Sequence, residues 1–432
     1  MSATDITTLD DEDLIDHIGA RFTWELDYLK RAVPSAESSG IIQKDAHPSP
    51  SIRLSGKDYV EVNRTILSIL ALRWILKGDY KTFTGPQPRK GRLQYTSFVS
   101  LQALFRRWLL TPHDQHVLVI ATMVADVGKA PDLALEVEQT GSGVTHNHDE
   151  LIFKAAKARV IPCLENLNHS DRNDILTGLE FASKLNIPQL AQAENVPGSL
   201  TEVLAYKGQS RAVHLKILEV FLDVAGAAAQ KSCNGSATMT EDVYQTLTST
   251  VNALMEFIES GKMTETQCYN RILIARAELL LHNGLHARLD IDNSEDRALL
   301  RLLCMGRVAT PNLVEAFREA LDELGDRKAD LVAQLNASGR SHDDVAIIPY
   351  YAPALFAHVL KPASDVQSKL GPNNTIKHSL ALILEAMSQA CKAIRSDEHN
   401  EQVFILEVDL SSIVSKLDVG GQDARIKHIT RG

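Results

Sequence analysis

Apolar residues recurring at helical spacing, caps at the ends of those stripes and a near absence of period-two alternation predict an all-α fold, a large multi-helix bundle of roughly fifteen helices. Tyr59, Val62, Ile66, Ile69, Leu70 and Trp74 line one helix face, and Gly78 stops that helix because glycine accepts the left-handed turn a helix end needs. Phe98, Leu101, Leu104, Phe105, Trp108 and Leu109 form a second stripe, and Val213, Ile217, Val220, Phe221 and Val224 a third. Val243, Leu247, Val251, Leu254 and Ile258 form a fourth, opened by Thr240-Glu241-Asp242 and closed by Gly261. Gly284 stops a further helix, Pro311-Asn312 starts the stripe Leu313, Phe317, Leu321 and Leu324, and Ile376, Leu380, Ile383, Leu384, Met387 and Cys391 make the last. Val403-Phe404-Ile405-Leu406 reads as a strand or as part of a helical stripe, and Ile348-Pro349-Tyr350-Tyr351-Ala352-Pro353 as a rigid turn before a helix.

The chain has 432 residues, 44 % of them apolar and 23 % charged, a globular composition that excludes disordered and fibrous classes. Three regions are expected: residues 1–57 as an N-terminal helix and mobile loop, 58–230 as a helical core, and 238–432 as a C-terminal helical domain, with the polar segment 230–239 as the hinge. The acidic start at Asp10, Asp11, Glu12, Asp13 and Asp16 does not resemble a secretory or transit leader, and the longest near-apolar run, Val117–Ala125, is too short to span a bilayer. The expectation is a cytoplasmic protein without membrane contact. Five widely spaced cysteines with no CxxC fit neither a disulfide framework nor a thiolate zinc site. No P-loop, GxGxxG or GxSxG occurs, which removes Walker-type NTPases, Rossmann enzymes and α/β-hydrolases.

The formal charge of −10 is uneven. Residues 71–110 hold Arg73, Lys77, Lys81, Arg89, Lys90, Arg92, Arg106 and Arg107 against Asp79 alone, a local +7 that leaves −17 on the remainder. The centre, Gly85-Pro86-Gln87-Pro88-Arg89-Lys90-Gly91-Arg92, is a Pro/Gly loop in which Arg89, Lys90 and Arg92 would meet phosphate, since Arg and Lys give charge and forked donors without a pocket. The alternative is a solvated loop whose charges pair with acidic neighbours.

A metal-ligand pattern runs through the same half. A helix ends in Ala125-Asp126-Val127-Gly128-Lys129, His148-Asp149-Glu150-Leu151 opens another, His169 follows, and Asp223 lies far along a later helix. Imidazoles and carboxylates projected from successive helix ends into one bundle suit Fe, Mn, Mg or Zn. This order resembles the HD-domain metalloenzyme superfamily, which includes nucleotide phosphohydrolases and the di-iron oxygenase that cleaves myo-inositol. There an early His, a His-Asp doublet followed by x-Gly-Lys, two later His and a final Asp gather around one or two metals. The resemblance covers about residues 90–230 and implies an HD-like core, one divalent metal on Asp126, His148, His169 and Asp223, and a small-molecule or phosphorylated substrate. The sequence departs from the pattern where Ala125 replaces the doublet His and where no early His stands near Tyr95-Thr96-Ser97-Phe98. His116 is a substitute at approximate helical spacing from Asp126, and His113-Asp114 is a literal doublet on the wrong side of its helix.

Without a metal, the pair Asp126 and Lys129 with His148, Asp149 and Glu150 would do the acid–base work, with Lys129, Asp149 and Glu150 as the catalytic residues, because titratable groups in one dry pocket shift apart in pKa. Glu278, His282, His286, Asp290 and Asp292 form a second cluster, but Gly284 between the histidines ends the helix that would align them. Three functions stand open: a metal-dependent hydrolase or oxygenase acting on a small anionic substrate, a metal-free transferase that draws aminoacyl groups from tRNA bound along 81–107, and a helical interaction protein with a dead site. Fungal arginine-containing cyclodipeptide synthases are proteins of the second kind with comparable character, though no motif is shared with them. A homo-oligomer fits any of the three.

Overall fold

A computed structural model of the chain describes residues 5–33, 48–143, 145, 147–360, 372–395 and 404–413. The fold is all-α, as predicted. In chain order its helices are α1 (Asp11–Arg21), α2 (Thr23–Leu29), α3 (Pro50–Ser55), α4 (Val60–Lys77), α5 (Tyr80–Phe83), α6 (Tyr95–Trp108), α7 (Pro112–Ala125), α8 (Pro131–Gln139), α9 (His148–Lys157), α10 (Pro162–Glu165), α11 (His169–Lys184), α12 (Ile187–Ala191), α13 (Ser210–Gly226), α14 (Glu241–Ser260), α15 (Glu265–His282), α16 (Ser294–Met305), α17 (Pro311–Asp322), α18 (Lys328–Asn336), α19 (Ala352–Val359) and α20 (Pro372–Arg395). Two short strands, β1 (Ala346–Tyr350) and β2 (Ile405–Asp409), pair in parallel with Ala346 opposite Ile405 and Tyr350 opposite Asp409. The Pro/Tyr segment expected as a turn is therefore partly a strand, and Pro349 is tolerated because a two-stranded ladder leaves one edge of each strand without a partner. Among the described residues no helix is long and apolar enough to cross a membrane.

The chain divides into two compact units, Met1–Leu185 with Tyr206–Leu247, and Asn186–Ala205 with Thr248–Gly432. The division falls inside α14 rather than in the polar segment 230–239. Residues 34–47 of the expected N-terminal loop lie outside the described residues, and 50–55 form α3, capped by the Ser49 hydroxyl and ended by Gly56 at φ 72°.

The first unit is built around α4, which packs against α13, α6 and α7, while α13 also packs on α11 and α11 on α9. The periodicity predicts a one-sided stripe, but α4 is buried on every face from Glu61 to Leu76. Its polar residues must then find partners inside the protein. Arg73, which counts toward the local +7 in the sequence, is one of them: Nη1 lies 2.5 Å from Asp11 Oδ1 and Nε donates to the Leu9 carbonyl. α13 comes close to α4 at Gly226, where a Cβ would stand 2.2 Å from Ser68 Oγ and 2.6 Å from the Arg64 carbonyl oxygen.

The polar segment before α14 acts as a strap. Ser236 N donates to the Phe83 carbonyl (2.8 Å) and Glu241 N to that of Gly91 (2.9 Å). Buried Gln87 donates to the carbonyls of Ser236 and Met239 and accepts from Leu93 N. The Pro/Gly loop is thus braced from within.

In the second unit Arg301, 1 % exposed on α16, donates to the backbone carbonyls of Ala193, Glu194, Asn195, Leu335 and Ile347. One guanidinium satisfies acceptors from three separate stretches of chain.

Two substitutions test these packing points by urea unfolding. Gly226→Ala is expected to destabilise the protein by about 1–3 kcal/mol, because the new methyl meets backbone on α4. Arg301→Met is expected to cost more than about 3 kcal/mol, because it strands buried carbonyls.

Candidate functional site

The buried face of α4 needs charge partners, and α7, α9 and α13 supply them. Glu61 and Arg64 are one turn apart on α4, with Arg64 Nη1 3.1 Å from Glu61 Oε1. At the end of α7 a single 3₁₀ turn, Val127–Lys129, folds Lys129 back over Asp126. The Lys129 ammonium lies 2.7 Å from Asp126 Oδ1 and 2.9 Å from Glu61 Oε2. Arg64 Nη2 reaches Asp223 Oδ1 on α13 at 3.4 Å. Lys216 and Glu219 precede Asp223 on one face of α13 and form an ion pair. α9 enters with its N-terminus: Asn147 Oδ1 caps the amides of Asp149 and Glu150, and His148 Nε2 is 3.6 Å from Asp149 Oδ1. Gly128 permits this approach, since a Cβ there would lie 2.2 Å from the His148 carbonyl oxygen.

The cluster is closed on one side and open on the other. The Glu61 side chain is fully buried and that of Asp126 is 16 % exposed, while those of Asp223 and His148 are 38 % and 45 % exposed, so the mouth lies at Asp223 and His148. Five carboxylates, Glu61, Asp126, Asp149, Asp223 and Glu219, face three fixed cations, Arg64, Lys129 and Lys216. Burial alone would raise the Asp126 carboxyl, but Lys129 and Arg64 hold it well below the usual carboxylate range. Burial would lower Lys129, and Asp126 with Glu61 more than restores it. Glu219 is the exception. Burial pushes its carboxyl up to about 7, and the negative charge of Asp223 adds to that against the pull of Lys216.

The expected ligands separate into two groups. Asp126, His148 and Asp223 come together, with Lys129 and Asp149. His169 does not join them: it is exposed at the start of α11, where Arg172 donates to the Ala156 carbonyl at the far end of α9 from His148. Glu150 turns away to Lys154 Nζ and the Thr145 hydroxyl. His116 lies near the opposite end of α7, ~15 Å along the helix from Asp126, where it accepts from Arg21 and is pushed down to about 4 by burial and that guanidinium. In the literal doublet, His113 meets Asp171 at 2.6 Å and Asp114 caps α7. His146 lies outside the described residues.

The acids of this set are engaged with cations of the chain. Asp126 is taken by Lys129, Asp223 by Arg64, and Ala125 offers nothing. Among the described residues no three His, Cys, Asp or Glu side chains are disposed to hold an ion. Glu61, Arg64, Lys216 and Glu219 are not foreseen from the sequence, although each is a charge set within an apolar helical stripe.

Arg89, Lys90 and Arg92 stand elsewhere, on the loop braced by Gln87. Among the described residues Lys77, Lys81, Arg89, Lys90, Arg92, Arg106 and Arg107 form no ion pair. Arg92 donates to the Gln87 carbonyl and Arg106 to that of Leu76 at the end of α4. Two acids close to this segment are hydrogen-bonded elsewhere: Asp79 caps α5, and Glu241 accepts from Gln94 N, the Ser97 hydroxyl and Gln245 Nε2.

The geometry defines an all-helical protein with a buried ion network on one side of α4 and a cationic face at its other end. Residues 15–420 match the model of a family of unknown function, DUF6829, and the chain belongs to that family. No curated protein and no solved structure matches it.

Two measurements test the network. Lys129→Met leaves Asp126 and Glu61 short of a cation, and a loss of about 3–5 kcal/mol is expected in denaturant unfolding. For Glu219, the folded protein keeps a proton that the unfolded chain releases above about pH 4.5, so stability falls as pH rises from about 4.5 to 7. Asp126 has the opposite sign and loses its contribution only in acid. Glu219→Gln is therefore expected to flatten the urea midpoint between pH 5 and 7.5 relative to the parent.

Proposed function

We propose that the first unit is a metal-independent acyl-transfer site that takes aminoacyl groups from charged RNA. One observation carries the reading: among the described residues seven cations between Lys77 and Arg107 form no ion pair, while the buried site holds more carboxylates than fixed cations. A polyanion suits the outside and a cation suits the inside. An aminoacyl-RNA ester has both parts, a phosphate backbone and an α-ammonium. A free phosphorylated metabolite is less well matched to the inner site, whose lysines and arginine are already paired. α4 joins the two regions, with Glu61 and Lys77 separated by ~24 Å of helix axis.

The mouth residues set the chemistry. Asp223 and Asp149 would receive the ammonium, and His148 or one of these carboxylates would take its proton. The freed amine attacks the carbonyl carbon of a second ester, the new C–N bond forms, and the C–O bond to the ribose breaks. The ribose oxygen leaves as an alcohol with a proton returned from the site. Cyclodipeptide formation is the case in which this step occurs twice. Charged RNA is a cytoplasmic substrate, in keeping with the compartment expected for this chain.

A second reading, descent from an HD-type hydrolase, is favoured by the convergence of Asp126, His148 and Asp223 beside Gly128-Lys129. Metal analysis of the purified protein and assays with added Fe, Mn, Mg or Zn separate the two.

Binding to aminoacylated tRNA across a salt series tests the first reading. The triple variant Arg89→Ala, Lys90→Ala, Arg92→Ala is expected to weaken binding at least about ten-fold and to flatten the salt slope by ~2–3. Asp223→Asn is expected to stop peptide-bond formation while leaving RNA binding intact. Wild-type protein without salt-dependent RNA binding would exclude the reading.

A further inference from the structure

We propose that Tyr95 is a stacking platform for a nucleobase of a single-stranded RNA segment, which rests on the RNA reading above and extends it from charge to base contact. Tyr95 is the first residue of α6 and is 62 % exposed. Its ring meets that of Tyr80 edge-to-face, with centroids 5.3 Å apart at 87°. Tyr80 is itself fixed, by its hydroxyl donating to the Leu93 carbonyl at 2.7 Å and by its ring lying 5.5 Å from that of buried Phe98. An exposed aromatic is thus held in place by a second aromatic that is anchored to the core.

The surroundings suit a nucleic-acid strand. Arg92 lies three residues before Tyr95 on the braced loop with Arg89 and Lys90, and Lys81 follows Tyr80. The start of α6 is not offered as an anion site, because the Glu241 carboxylate already sits there, accepting from the N-cap Gln94 N and from the Ser97 hydroxyl. What the face offers is an anchored ring with cations close to it in the chain, the pairing by which single strands are bound without reading their sequence. A lipid surface would need a broader apolar patch. Beside Tyr95 stand Gln94 and Thr96, and Val99 one turn on is the further exposed apolar residue of α6.

The test uses the full chain, a short fluorescent oligoribonucleotide, its abasic counterpart and phosphatidylserine vesicles. Tyr95→Ala is expected to weaken oligoribonucleotide binding about ten-fold while leaving the salt slope unchanged, because stacking releases no counterions. Tyr95→Phe should bind within about two-fold of the parent, since the ring is kept. The parent should lose a similar factor on the abasic strand, and Tyr95→Ala should no longer distinguish the two strands. Circular dichroism confirms that each variant is folded. If the parent binds RNA and Tyr95→Ala binds it equally well, the platform is wrong while the RNA reading stands. If the parent binds no RNA, both fall. Tyr95-dependent binding to the vesicles without RNA binding would replace both with a lipid surface.

Discussion

The Lys129 ammonium, shared between Asp126 and Glu61, is the contact on which the first unit depends. An unpaired carboxylate inside an all-helical body costs several kcal/mol, so a central helix can carry Glu61 and Arg64 only if other helices bring the complementary charges. The turn after α7 brings one and α13 brings another. Each partner fixes the approach of its helix: Asp126 and Lys129 set the end of α7, Asp223 sets the rotation of α13, and Gly128 lets the start of α9 close in. Packing and electrostatics are one constraint here. The small residues at Gly226 and Gly128 allow contact, and the charges choose its register.

The same network decides what chemistry the site supports. In a metal centre, carboxylates and imidazoles surround a cation that the protein does not encode. Here the encoded cations Arg64 and Lys129 pair with Glu61, Asp126 and Asp223. What is left over is an excess of carboxylate at an open mouth and one carboxyl, Glu219, that burial shifts into the neutral range. An α-ammonium rather than a phosphate is proposed at this mouth because of that excess. The cationic face is separate, at the other end of α4, and its loop keeps its shape because Gln87 satisfies three backbone groups that would otherwise be buried without partners.

Much of the fold was legible along the chain, because helix periodicity and capping are local. The stripes through Val213–Val224 and Leu313–Leu324, the stops at Gly78 and Gly284 and the start at Pro311 all reappear as α13, α17, the ends of α4 and α15, and the first turn of α17. β1 was harder to read, because a two-stranded parallel ladder joins residues far apart and Pro349 argues against a strand. Within the site, Asp126, His148 and Asp223 were legible because their motif order is written in the sequence. His169 belonged to the same order yet sits at the wrong end of α11. Glu61 and Arg64 carried no motif, and their role rests wholly on which helices surround α4.

The sequence by itself determined the helices, their caps, the cationic stretch and the absence of the doublet histidine at Ala125, since each depends on residues close together in the chain. Only the tertiary structure decided that the polar segment before α14 is a strap under the cationic loop, that Arg73 is spent on Asp11, and that the motif acids face lysine and arginine. Those outcomes depend on which charges meet after the helices pack. The −10 of the whole chain says nothing of them, because burial makes a pairing between neighbours in space matter more than the sum.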